Sequence, residues 1–119
     1  IRMAKELAVK TNAVIVITGE TDLVTDGETV YFIKNGVPEM ARITGCGCML
    51  DGVIAGFIGA NQGNILEATV TAVSAMGICG EYARENAKGT GTLKVHLIDA
   101  MSNIDETWME RSNQIESRS

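Results

Sequence analysis

The segment Thr44-Gly45-Cys46-Gly47-Cys48 runs straight into a stretch of apolar and small residues from Met49 to Ala60. That stretch reads as a helix. The first turn of a helix leaves backbone N–H groups without intrahelical acceptors, so its start favours negative charge. Glycines there let an anion approach the backbone closely. A thiol in the same turn has its thiolate stabilised, which makes it a usable base or nucleophile near neutral pH. By this reading Cys48 is the reactive residue, Cys46 contributes mainly its backbone, and the N–H groups of Gly45, Cys46, Gly47 and Cys48 form an anion hole. Spacing alone fits equally well a tight glycine turn with two small apolar side chains, because a bare Gly-x-Gly is weak as a motif.

Other chemistry is thinner. A structural zinc site needs four Cys or His ligands, and the chain has only Cys46, Cys48, Cys79 and His96, with no spacing that pairs them. No metal ligand is assigned. A redox role for Cys46 and Cys48 stays as a minor alternative. Cys79 falls on an apolar helical stripe and reads as core, whereas His96 reads as a surface or internally satisfied histidine. Thr18-Gly19-Glu20 reads as an ordinary strand end, or as a hydroxyl and bare backbone set beside a nucleotide. Gly89-Thr90-Gly91-Thr92 is likewise either a helix stop followed by a cap, or a loop lining a base.

The elements that must carry these residues follow from apolar spacing. Ile1, Ala4, Leu7 and Ala8 recur at helical intervals, and Thr11-Asn12 stops that helix. Ala13 to Ile17 is a continuous apolar run without polar alternation, the pattern of a strand covered on both faces in a parallel sheet. Thr18 to Asp22 would then lie at its carboxyl end, where open α/β sheets bind ligands. Leu23 to Thr25 and Thr29 to Ile33 flank Asp26-Gly27, a hairpin signal, and this hairpin is expected at the sheet edge. Asn35-Gly36 supplies a further turn. A long helix is expected over 64–86 with Ile65, Ala68, Ala72, Met76, Cys79 and Ala83 on one face. A further helix carries Leu93, Leu97, Ile98 and Met101. A short last one contains Trp108 and is capped by Asn103 or Asp105. The tail from Ser112 to Ser119 is polar and gives little signal.

Composition bounds the function. Hydrophobic residues make up 45% of 119 and charged ones 21%, the balance of a folded globular chain. Fifteen acidic against ten basic residues give a net charge of −5, with no basic cluster for nucleic acid. The apolar run from Gly52 to Ala60 is about half the ~20 residues needed to cross a bilayer, so no membrane partner is expected. Three cysteines, an odd number, agree with a reducing compartment and a cytoplasmic location. The chain opens on Ile1-Arg2-Met3 within an expected helix, and its 119 residues read as the later part of a larger domain whose amino-terminal half is absent.

Three stretches taken together carry a resemblance: Val16-Ile17-Thr18-Gly19-Glu20 with Asp22 and Asp26-Gly27; Ile43 to Leu50 around Gly45-Cys46-Gly47-Cys48; and Gly77-Ile78-Cys79-Gly80-Glu81 followed by Gly89 to Leu93. In this order they resemble the hydroxyethylthiazole kinase family, of the ribokinase-like superfamily. The resemblance implies an α/β three-layer fold, of which this chain is the carboxyl-terminal part, made of a parallel strand, an edge hairpin and several helices. It implies ATP-dependent phosphorylation of 5-(2-hydroxyethyl)-4-methylthiazole in thiamine synthesis, with ATP and Mg2+ as cofactors and a homotrimer for the full-length protein. Cys48 falls on the family's catalytic cysteine, Gly45 on a glycine touching the thiazole, and Thr18 on a threonine touching ATP. The magnesium-binding groups would lie in the absent half. The chain departs from the family pattern at Cys46, where Thr is usual, at Cys79, where Ala is common, and at Leu93, where Phe is common. The alternatives are hydroxymethylpyrimidine kinase of the same superfamily, which shares Gly-Thr-Gly-Cys before a helix, and a non-catalytic fragment or thiol-based binding module.

Overall fold

The structure is a computed structural model that describes residues 1–42, 46–60 and 63–118, with the side chains of residues 41, 42 and 46 outside that description. Helix α1 (Arg2–Thr11) ends where Asn12 turns left-handed at φ 53° and its N–H reaches the carbonyls of Ala8 and Val9. Asn tolerates that conformation because its short polar side chain bonds locally. Strands β1 (Ile15–Ile17), β2 (Asp22–Thr25) and β3 (Val30–Ile33) follow, then a 3₁₀ turn (Pro38–Arg42) and helices α2 (Cys46–Ala60), α3 (Ile65–Asn86), α4 (Thr90–Asn103) and α5 (Glu106–Ser112). Strand β4 (Ile115–Arg118) completes a sheet of order β1-β2-β3-β4.

Every pairing in that sheet is antiparallel, so the expected parallel strand is corrected. Only residues 18–21 join β1 to β2. A link that short permits antiparallel pairing alone, because a parallel partner needs a crossover of a dozen or more residues. Nor is β1 sealed on both sides, since Ile17 is 50% exposed. The hairpin is also not at the edge. β1 flanks β2 and β4 flanks β3, which puts β2 and β3 in the middle.

The polar tail supplies that second flank. Its signal was weak because only Ile115 is apolar. Ile115 pairs with Ile33 and packs on the core, Glu116 meets Lys34 at 2.9 Å, and the Arg118 guanidinium lies 5.0 Å from the Phe32 ring centre.

Alternation along the strands gives each face its own cover. Ala4 of α1 packs with Leu23, Val30, Ile15 and Phe32 on one face. On the other, Val24 and Ile33 meet Val70 and Val73 of α3, joined by Val16, Leu50 and Ile54. Helix, sheet and helices make three layers. α3 also serves α4, through Met76, Cys79 and Ala83 against Leu93, Leu97 and Ala100. Because it faces both, it is buried nearly all round from Ala68 to Gly80 rather than along one stripe, while Ile65, placed on that stripe by spacing, is 45% exposed.

Local chemistry fixes the turns. The Asp26 carboxylate accepts the N–H groups of Glu28 and Thr29, and Gly27 takes φ +102°. Gly89 and Thr92 start α4, where the Thr92 hydroxyl accepts from the N–H groups of Lys88 and Gly89. Asp105, rather than Asn103, caps α5 by accepting the Trp108 N–H at 2.8 Å.

Candidate functional site

α2 begins at Cys46, so Gly47 and Cys48 occupy its first turn. Both are exposed, and Cys48 is in no disulfide. A Cβ built on Gly47 would meet nothing within 4 Å. Its small size is therefore not demanded by packing among the described residues. The first-turn N–H groups point out of the helix start and have no intrahelical acceptors. Two residues further on, Leu50 anchors the helix on the sheet-facing cluster, while Met49 anchors it on the α3–α4 cluster. Thr44, Gly45 and the Cys46 side chain, which the sequence placed in the same site, lie outside the described residues.

Thr18 directly follows β1 and is exposed. The turn after it is shaped by Asp22, whose Oδ1 accepts the Gly19 N–H at 2.9 Å. Burial of Asp22 pushes its carboxyl above the ordinary range, partly offset by that bond from Gly19. Val16, two residues before Thr18, and Leu50, two residues after Cys48, pack on the same Val24–Ile33–Val70–Val73 cluster. One apolar cluster thus anchors the two elements that carry Thr18 and Cys48.

The remaining sequence candidates divide clearly. Cys79 is fully buried, and desolvation pushes its thiol up to about 11, which leaves it inert packing. His96 is half-buried on α4. Gly89 to Thr92 are occupied in capping a helix. An apolar groove of about 400 Å³ between α2, α3 and α4, with Phe57, Met76 and Met101 in its walls, includes neither Thr18 nor Cys48. Among the described residues no group of three or more His, Cys, Asp or Glu is placed to hold a metal ion.

Two polar residues that spacing did not single out are heavily bonded. Asn35 is buried, and its amide bridges Glu81 of α3 and the chain around Ser112 and Gln114. The available signal was an Asn-Gly pair ahead of Val37, with Gly36 at φ +123°.

A sequence profile of the hydroxyethylthiazole kinase family matches residues 1–107. The chain belongs to the hydroxyethylthiazole kinase family. It is 42% identical to the hydroxyethylthiazole kinase of Arabidopsis thaliana over 107 residues, which are 90% of this chain and 39% of that protein. It is also 42% identical to hydroxyethylthiazole kinase 1 of Clostridium botulinum over 117 residues, 98% of this chain and 43% of that one. The solved hydroxyethylthiazole kinase of Pyrococcus horikoshii superimposes with a TM-score of 0.92 at 29% identity, covering 98% of this chain and 45% of the other. The ribokinase-like fold expected from the sequence is the fold observed. The chain spans less than half the length of these relatives. Within the family fold, this chain provides the antiparallel sheet and helices α1 to α5.

Proposed function

We propose that the protein built on this chain transfers the γ-phosphoryl group of ATP to the primary alcohol of 5-(2-hydroxyethyl)-4-methylthiazole, as the names of its relatives suggest. The observation that carries this reading is the family match across residues 1–107 together with an exposed thiol, Cys48, in the first turn of α2. Cys48 Sγ takes the hydroxyl proton as the alcohol oxygen attacks phosphorus. A new O–P bond forms, the bond to the bridging oxygen of ATP breaks, and ADP leaves with that electron pair. Phosphoryl transfer depends chiefly on positioning and on stabilising charge over the transferring group. The N–H groups of Gly45, Cys46, Gly47 and Cys48 supply that stabilisation. The Thr18 hydroxyl, exposed beside β1, binds ATP. Among the described residues no three or more His, Cys, Asp or Glu gather at one point, and no step is assigned to Mg2+ through this chain.

The test is phosphorylation of the thiazole alcohol, assayed with this chain in a full-length family protein. Cys48→Ala lowers kcat by about a hundredfold or more, as expected for loss of a general base, and Cys46→Ala, which keeps the backbone, has a far smaller effect. Equal losses at the two positions, or turnover of hydroxymethylpyrimidine with none of the thiazole, would overturn the reading.

A further inference from the structure

We propose that Glu81, acting through Asn35 and seated beside Gly77, is a positioning residue for the start of α2. Residues 35–42 form a strap between β3 and the segment that enters α2, and α3 holds this strap at three points. Glu81 Oε1 accepts from Asn35 Nδ2 at 3.0 Å, and Glu81 Oε2 accepts the Gly36 N–H at 3.3 Å. Four residues earlier on the same helical face, Gly77 lets the strap backbone lie directly on α3. A Cβ there would sit 2.7 Å from the carbonyl carbon and oxygen of Asn35. Between them Gly80 makes room for Met40, whose sulfur a Cβ would strike.

Asn35 spends its whole amide on this arrangement. Nδ2 also donates to the Ser112 carbonyl at 3.0 Å, while Oδ1 accepts from the Gln114 N–H at 2.7 Å and the Ser74 hydroxyl at 3.4 Å. A buried amide satisfied on both ends has one orientation, so the strap has one place to lie.

What makes this a positioning device is where the strap leads. Met40, near its end, and Met49, in the second turn of α2, pack against the same α3–α4 cluster. The strap that ends at residue 42 and the helix that begins at Cys46 are therefore seated on one α3–α4 cluster, and the carboxylate of Glu81 fixes where that strap lies. In the sequence Glu81 stands only within a stretch that carries the family resemblance. Its two acceptor oxygens, both used on the strap, are what give it this role.

The purpose of the device rests on the phosphoryl-transfer reading, but its test uses no ATP, so the two fail separately. In a Cys46→Ser background, the rate of Cys48 alkylation by iodoacetamide is followed by intact mass near neutral pH, with urea unfolding of each variant run alongside. Glu81→Ala and Gly77→Ala slow alkylation of the folded chain by about threefold or more, because the reactivity of a thiol at a helix start depends on how the surrounding N–H groups are aligned. Glu81→Gln, which keeps one acceptor oxygen for Asn35, recovers part of the rate. Val30→Ala, a comparable packing loss on the α1 side of the sheet, leaves the rate unchanged. If Gly77→Ala does not fold, Glu81→Ala and Glu81→Gln decide alone. An unchanged rate in the Glu81 variants, or an equal change in Val30→Ala, overturns the assignment.

Discussion

Asp22 and Asp26 stand four residues apart, and their surroundings shift their carboxyl groups in opposite directions. Asp26 is exposed, and the N–H groups of Thr29 and Glu28 hold its carboxyl below the ordinary 3.8. Its contribution to stability is present above 3.8 and is lost as the pH falls through the lower folded value. Burial raises Asp22 above 3.8, so the folded state gains from its protonation as the pH falls through that raised value. Asp22→Asn keeps an oxygen for the Gly19 N–H without the charge. It should raise the urea midpoint at neutral pH, and the gain should vanish in acid once the native Asp22 is protonated. Asp26→Ala should lower the midpoint at neutral pH, with the difference closing below the folded value of Asp26. Cys48 and Cys79 show how far the sequence reached at this scale. A thiol that follows a glycine at a helix start and a thiol on an apolar stripe are legible from their neighbours. The bonds of Glu81 are not, because Asn35 lies 46 residues away in the chain and nothing local forecasts the pairing.

Among the elements, α1 depends on one glycine outside itself. A Cβ on Gly27 would lie 2.6 Å from Val9 Cγ2 and 3.4 Å from the Lys5 carbonyl, at a φ of +102°. Gly27→Ala therefore strains the hairpin turn and pushes α1 off the sheet together. A loss of about 1–3 kcal/mol is expected, measured by urea denaturation, with Asp105→Ala at the α5 cap as a local comparison costing about 1 kcal/mol. The helices were legible because their apolar spacing is long and regular. β1, β2 and β3 were legible as strands and β2–β3 as a hairpin, whereas the antiparallel place of β1 beside β2 and the existence of β4 were not. The apolar run of β1 matches a strand covered on both faces, yet the 18–21 link settles its direction, and β4 is recognisable only from what it meets. The start of α2 was readable from its glycines, whereas residues 43–45 of the same motif lie outside the described structure.

For the molecule as a whole, the family match and the fold agree, and the chain amounts to less than half the length of the Arabidopsis, Clostridium and Pyrococcus relatives. No helix among the described residues is long and apolar enough to cross a membrane. The order in which this sheet assembles follows from its connections. β1, β2 and β3 are joined by short turns, but β4 reaches β3 across α2, α3, α4 and α5, with Lys34 and Glu116 separated by 82 positions. Contacts that distant carry a loop-closure cost that local hairpins avoid. Pulsed hydrogen exchange during refolding should find the amides shared by β2 and β3 protected before those shared by β3 and β4; simultaneous protection would argue against this order. During that interval the far side of β3 is an unpaired edge, open to a strand from another molecule, so docking of the short polar tail is the step that closes the chain to self-association through β3.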